Sequence, residues 1–295
     1  MANLITIGQL IDRSWDHYSG FFKALMKISL WAFILIPLLL IRIFLAPDGE
    51  VQSLAIILNG SGSAIAWLGV IFGAIVSIIV VPVITIWIYI NLVKAIESQN
   101  KKKPVSFKEL RKYGWKNFFS YLWVAILKSV ITSLPLLLLV PGLILIWTNI
   151  FYNGGSLWGA ASTLITLIGI IAALILIITL GVQLGFSCFE RLIADKRGLT
   201  AVKGSHALVK GRFWSTLWRL LVPKIVFGIA TGLLQIIVIL VLLGLTYAFY
   251  AISQTTGDVG ILIVSILLTT GVAVLTTPIF IIADYLLYDS LLKTK

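Results

Sequence analysis

The sequence predicts an all-helical polytopic membrane bundle, and three observations lead there. Of 295 residues, 60% are hydrophobic and 12% charged, with mean hydropathy +1.07; soluble domains average about 45–50% apolar and about 25% charged residues. Six apolar segments are each long enough to cross a bilayer, whose core of roughly 30 Å takes about 20 helical residues. Threading the chain through them places every lysine and arginine except Arg42 on one side.

The spans fall near Phe22–Ala46, Ala64–Val93, Phe118–Trp147, Leu157–Phe189, Phe213–Tyr250 and Val259–Leu287. Before the first lie Arg13, Lys23 and Lys27, whereas the loop after it holds Asp48 and Glu50. The loop after span two carries Lys101, Lys102, Lys103, Lys108, Arg111 and Lys112, and the one near Tyr152 carries no charge. Spans four and five are separated by Arg191, Lys196, Arg197, Lys203, Lys210 and Arg212, spans five and six only by Asp258. Lys293 and Lys295 follow span six. The positive-inside rule then predicts a plasma or inner membrane protein with both termini cytoplasmic. Span one lacks a small-residue cleavage pattern and is expected to act as its own signal-anchor. A single cysteine, Cys188, makes no internal disulfide, and the Asn59-Gly60-Ser61 sequon carries no weight.

Residues 1–295 read as one integral membrane domain of three repeats, 4–98, 104–192 and 198–293. Thr6-Ile7-Gly8-Gln9-Leu10 through Trp15 to Phe22 aligns with Ser106-Phe107-Lys108-Glu109-Leu110 through Trp115 to Leu122. Thr200-Ala201-Val202-Lys203 through Val209 to Trp214 follows the same outline. Each opens on a hydroxyl residue able to cap a helix, and each sets apolar positions at helical spacing against a polar or basic face, as Ile7, Leu10, Ile11, Trp15 and Tyr18 are set against Gln9, Asp12, Asp16 and His17. Such helices lie in the cytoplasmic membrane interface; the plainer reading makes each an extension of the next span. Pro82 and Pro278 are expected to kink spans two and six. Aromatic belts are expected from Trp15, Trp87, Trp115, Trp214, Trp218 and Tyr285 on the inner side, and from Trp147, Tyr152, Trp158, Tyr247 and Tyr250 on the outer.

Little points to catalysis. Two histidines, one cysteine and eleven carboxylates sit mostly at loop edges, and acid–base or metal chemistry needs them clustered. Neither a phosphate-cradling glycine loop nor a nucleic-acid module is present, and the net charge of +12 is accounted for by the cytoplasmic face. The chain is therefore read as a non-enzyme without cofactor. The suggestive groups are cations within or beside the spans: Lys27, Lys128 and Lys224, at comparable depths after Thr6, Ser106 and Thr200, together with Arg219. They either snorkel to the surface or form a basic vestibule for an anionic lipid headgroup or solute. Glu97 and Glu190, with Asp284 or Asp289 as the third member, close the even spans and are expected to pair with the basic faces of neighbouring interfacial helices. Arg42 is expected to reach toward Asp48 and Glu50.

Pro141-Gly142, Glu190, Ala201, Ser205 and Leu208-Val209-Lys210-Gly211-Arg212-Phe213-Trp214 resemble the pattern of the glycerophosphoryl diester phosphodiesterase membrane-domain superfamily of prokaryotic multi-pass proteins. Some members of that superfamily fuse the membrane domain to a cytosolic phosphodiesterase barrel. No such segment occurs in these residues, so the resemblance implies the membrane architecture without the catalytic activity. Two functions remain: a non-catalytic membrane protein engaging anionic lipid or a membrane protein partner through its basic face, or a permease for a small or lipid-like anionic solute. The Thr269-Thr270-Gly271 and Thr276-Thr277-Pro278 stretches would serve the permease as helix breaks. A midplane cavity lined by Lys128, Thr270 and Thr277 would favour the second.

Overall fold

The computed structural model describes residues 4–45, 64–103, 106–151, 156–250 and 254–294. Ala46, Asp48, Glu50, the Asn59 sequon, Tyr152 and Lys295 lie outside them, as do the side chains of Arg42, Trp158, Tyr250 and Asp258. Among the described residues there is no strand. The helices are α1 (Ile7–Gly20), α2 (Phe22–Ser29), α3 (Leu35–Leu45), α4 (Ala64–Ile75), α5 (Val81–Asn100), α6 (Phe107–Ser133), α7 (Val140–Phe151), α8 (Ser156–Gln183), α9 (Ser187–Leu192), α10 (Leu199–Val209), α11 (Phe213–Tyr250) and α12 (Gln254–Lys293).

Six stretches are long and apolar enough to cross a membrane: Phe22–Ile41, Trp67–Asn100, Phe107–Thr148, Gly159–Leu192, Phe213–Phe249 and Gly260–Lys293. The protein is a multi-pass membrane protein. Its surface agrees, since Ile78, Leu137, Leu240 and Tyr247 all point outward, as a solvent of hydrocarbon permits and water does not. Hydroxyls in the spans donate to carbonyls one turn back: Thr166 to Ser162, Thr179 to Ile175, Thr231 to Phe227 and Thr276 to Val272. That bond satisfies the side chain where no water reaches it.

The chain forms two compact units. One comprises Met1–Ile5, Phe119–Leu220 and Leu287–Lys295, the other Thr6–Phe118 and Leu221–Leu286. Their boundaries fall inside α6, α11 and α12 rather than between the repeats. In the first unit α7 and α8 pack closely because Gly142 and Gly169 leave room. A Cβ at Gly142 would collide with Thr166, and one at Gly169 would come within 2.7 Å of the Leu138 carbonyl. In the second unit α1 begins with a capping box, Thr6 accepting from the Gln9 amide and Gln9 from that of Thr6. The inward side of α1 then meets Phe227, Ile279 and Ala283 through Ile11 and Tyr18, and the Tyr18 hydroxyl donates to the Leu275 carbonyl at 2.8 Å.

Three expectations need correction. The second amphipathic stretch is not a separate helix: α6 runs unbroken from Phe107 to Ser133. Nothing there interrupts it, whereas α1 ends at Phe21 and α10 is separated from α11 by Gly211 at φ +78°, a conformation glycine adopts without strain. Trp87 and Tyr285 are buried, 7% and 2% exposed, and belong to the core rather than a belt; Trp15, Trp115, Trp147, Trp214, Trp218 and Tyr247 are exposed. Finally, α12 passes through Thr269-Thr270-Gly271 and Thr276-Thr277-Pro278 without a break. The Thr269 and Thr277 hydroxyls bond within the helix, and one proline removes a single backbone donor. Pro82 opens α5 directly after the π-helical turn Val76–Val80, which displaces the hydrogen-bond ladder where the proline donor is missing.

The Asn100 amide donates to the Tyr285 hydroxyl at 3.2 Å, joining α5 and α12, and the His17 imidazole of α1 lies beside Asn100. Burial holds the His17 imidazole below its ordinary value of 6.5, against smaller opposing effects of the Asn100 side chain and the Asp16 charge. The folded state therefore keeps His17 neutral while the unfolded chain takes up a proton first. This contribution to stability is complete above the unfolded pKa and is lost as pH falls through it toward the folded one. Melting temperature in detergent should fall between pH 7 and pH 5.5, and His17→Asn should flatten that slope; an unchanged slope would refute the assignment.

Candidate functional site

The three carboxylates singled out in the sequence all meet lysines. Glu97, 5% exposed, lies between Lys94 at 2.7 Å and Lys101 at 2.6 Å. Glu190, fully buried on α9, holds Lys196 at 2.5 Å and accepts from the Tyr288 hydroxyl at 3.3 Å. Asp284 holds Lys224 at 3.1 Å. The expected partners are corrected: Lys94 and Lys101 belong to α5 and its cap, Lys196 to the connection before α10, and Lys224 to span five. None is on the basic face of an amphipathic helix: Glu97 and Glu190 sit within one turn or one short loop of a closer lysine, and Asp284 meets a lysine of span five.

Around Glu190 the chain is arranged to keep the carboxylate dry. Phe189 stacks on Tyr288 with ring centroids 5.5 Å apart. Ser205 of α10 accepts from the Phe186 amide at 3.1 Å and donates to the Gln183 carbonyl at 2.7 Å, fastening the turn from α8 to α9. Gly204 must be glycine-sized, because a Cβ there would lie 2.6 Å from Glu190 Oε2. Arg191, beside it, bonds Ser120 at 2.5 Å and also pairs with Asp195. This cluster is structural.

The four candidate cations have four different surroundings. Lys224 is engaged by Asp284. Arg219 donates to the Ile5 carbonyl at 2.6 Å and to Ser215, tying down the N-terminal segment. Lys128 lies within electrostatic reach of Cys188, which bonds Tyr121. Lys27, with Lys23 one turn earlier, borders a cavity of about 360 Å³ that Gln99, Ala95, Phe107 and Leu110 close. Both lysines are exposed, and among the described residues neither has a carboxylate partner. The Gln99 Oε1 atom is buried with no hydrogen-bond partner. Two exposed lysines and a residue whose buried amide oxygen lacks a hydrogen-bond donor thus border one cavity.

Lys23 and Gln99 were not singled out from the sequence. The i, i+4 spacing of Lys23 and Lys27 was a visible signal, but nothing in the sequence brings Gln99 of α5 to them. A second cavity in the same unit, of about 390 Å³, is bordered by Thr270 and Thr277, without Lys128. Among the described residues no group of His, Cys, Asp and Glu could hold a metal ion. Compared with protein-family models, curated proteins and solved structures, the chain matches none.

The buried cluster yields an asymmetric prediction. Lys196→Met leaves the Glu190 carboxylate buried and unpaired, a loss of about 3–5 kcal/mol. Glu190→Gln leaves Lys196, 40% exposed, able to turn to water, and should cost about 1–3 kcal/mol. Thermal unfolding in detergent should therefore place Lys196→Met below Glu190→Gln; the reverse order would show that the lysine carries little of the pairing.

Proposed function

We propose that this protein is a non-catalytic, multi-pass protein of the plasma or inner membrane that binds anionic lipid through its basic, cytoplasmic face, with both termini on that side. The observation that carries the reading is the cavity bordered by Lys23, Lys27 and Gln99, where two lysines without carboxylate partners and a buried unpartnered amide oxygen meet. Phosphate is the abundant anion at that depth, and each lysine near an anionic surface contributes about 1 kcal/mol.

In this reading α1 and α10 are interfacial helices of a threefold repeat, with Trp15 and Trp214 exposed at headgroup level. α6 carries the equivalent stretch as a direct extension of its span. The resemblance to the glycerophosphoryl diester phosphodiesterase membrane-domain superfamily fits this architecture, without the phosphodiesterase chemistry. The permease alternative has less support, because the helix expected to be broken at Thr269-Thr270-Gly271 and Thr276-Thr277-Pro278 is continuous.

Native mass spectrometry of the detergent-extracted protein titrated with phosphatidic acid and, separately, phosphatidylcholine tests the proposal. Lys23→Ala/Lys27→Ala should weaken phosphatidic acid binding roughly 30-fold, about 2 kcal/mol, and leave phosphatidylcholine unchanged, while Lys128→Ala should change neither. Equal affinity of the double variant and the unaltered protein for phosphatidic acid would refute the site.

A further inference from the structure

Apolar side chains such as Leu35, Ile88, Leu92 and Val274 wall the cavity of about 390 Å³, and six hydroxyl side chains also border it, Ser29 and Thr277 among them. The Thr277 hydroxyl is committed to the Ala273 carbonyl at 2.7 Å, while Ser29, 2% exposed, has a buried hydroxyl oxygen without a hydrogen-bond partner. Among the described residues no charged side chain borders the cavity, so nothing there offsets the desolvation of an ion. What the cavity suits is hydrocarbon carrying one hydrogen-bond acceptor near its end.

Its position gives the occupant. Ile28 and Ala95 border the Lys23–Lys27 cavity, whereas Ser29 and Leu92 border this one. Leu92 and Ala95 are separated by about 4.5 Å of helix rise. On α2 the two cavities are bordered by consecutive residues, Ile28 and Ser29. In a phospholipid the ester carbonyl follows the phosphate by a few bonds, and the acyl chain follows the carbonyl. The order of cations, then a hydroxyl, then apolar wall repeats that order.

We infer that this cavity seats one acyl chain of the anionic lipid whose phosphate is held by Lys23 and Lys27, with its ester carbonyl accepting a hydrogen bond from Ser29. The inference rests on the headgroup site proposed above and adds the lipid's class: an acylated glycerol phosphate rather than a soluble anion.

Two diazirine probes of equal chain length separate the claims: lysophosphatidic acid, and monoacylglycerol, which keeps the ester and chain but lacks phosphate. On the unaltered protein in detergent, both should crosslink to peptides containing Ile88–Leu92 or Val274, the phosphate probe more strongly. Ala32→Phe and Thr270→Trp each place bulk at the cavity wall. Whichever keeps the wild-type melting temperature should reduce labelling by both probes roughly tenfold, because the added ring removes the close contacts that seat the chain. Lys23→Ala/Lys27→Ala should lower lysophosphatidic acid labelling to the monoacylglycerol level and leave the latter unchanged. Labelling of these peptides that survives a folded filling variant overturns the acyl slot. Should the double lysine variant instead leave lysophosphatidic acid labelling intact, the headgroup site fails, and with it the two-part lipid.

Discussion

Hydrocarbon solvates no polar group, so each polar atom within the spans must find its partner in the chain itself. Most of the architecture follows from that constraint. It makes the spans helical, sends threonine hydroxyls back to their own carbonyls, and confines prolines to places where the ladder tolerates a missing donor. Pro82 follows a π-helical turn, and Pro135 lies in the 3-10 turn Leu134–Leu139. α11 and α12, of 38 and 40 residues, exceed what a bilayer requires, so they tilt or extend beyond it. Against this background an unpartnered polar atom carries information. The Ser29 hydroxyl and the Gln99 carbonyl oxygen are two of the buried polar atoms without a hydrogen-bond partner, and each belongs to a residue that borders a cavity.

Charge obeys the same constraint more strictly. Glu190 is fully enclosed, and its enclosure is built from Lys196, Tyr288 and the small residue Gly204. A buried ion pair is weak evidence of net stability, because desolvating both partners offsets much of their attraction. Here Lys196 keeps contact with solvent, so only one member is fully desolvated. The pair and the Ser205 bonds to Phe186 and Gln183 hold the α8–α9 turn to α10. Glu190, Ala201, Ser205, Leu208 and Val209, five of the residues that suggested a family resemblance, are buried there, and packing accounts for them; Lys210, Gly211 and Trp214 of the same pattern are exposed.

Hydropathy made the six spans legible, because membrane insertion depends on local apolar length. Legibility ended where a decision needs a neighbour. The stretch from Phe107 to Leu122 has the composition of an interfacial helix, yet without a breaker it continues into its span. Trp87 and Tyr285 have the chemistry of belt residues and lie in the core, since an aromatic side chain suits either place. Lys27 was visible as a cation near a span, but Gln99 and Ser29 acquire meaning only once α2 and α5 are packed together. The three acidic residues were found and their partners missed: for Glu97 and Glu190 a lysine three to six residues away in sequence outcompetes one that must be brought in by folding, and for Asp284 the partner Lys224 comes from another span.

The two cavities along α2 and α5 also differ in what they could contribute to binding. An acyl chain that leaves the bilayer for a protein cavity exchanges one apolar surrounding for another, so the hydrophobic effect gives it almost nothing. Discrimination must come from the polar end. Lys23 and Lys27 attract any phosphate, and being exposed they do so with a strength that salt reduces. The Ser29 hydroxyl adds direction, since it is satisfied by an acceptor at one distance from the phosphate. The apolar cavity then acts by shape, fixing where the chain lies once the headgroup is held. A soluble anion would use only the first of these three features, and an ion pathway would leave the second dry. Only an acylated phosphate engages all three.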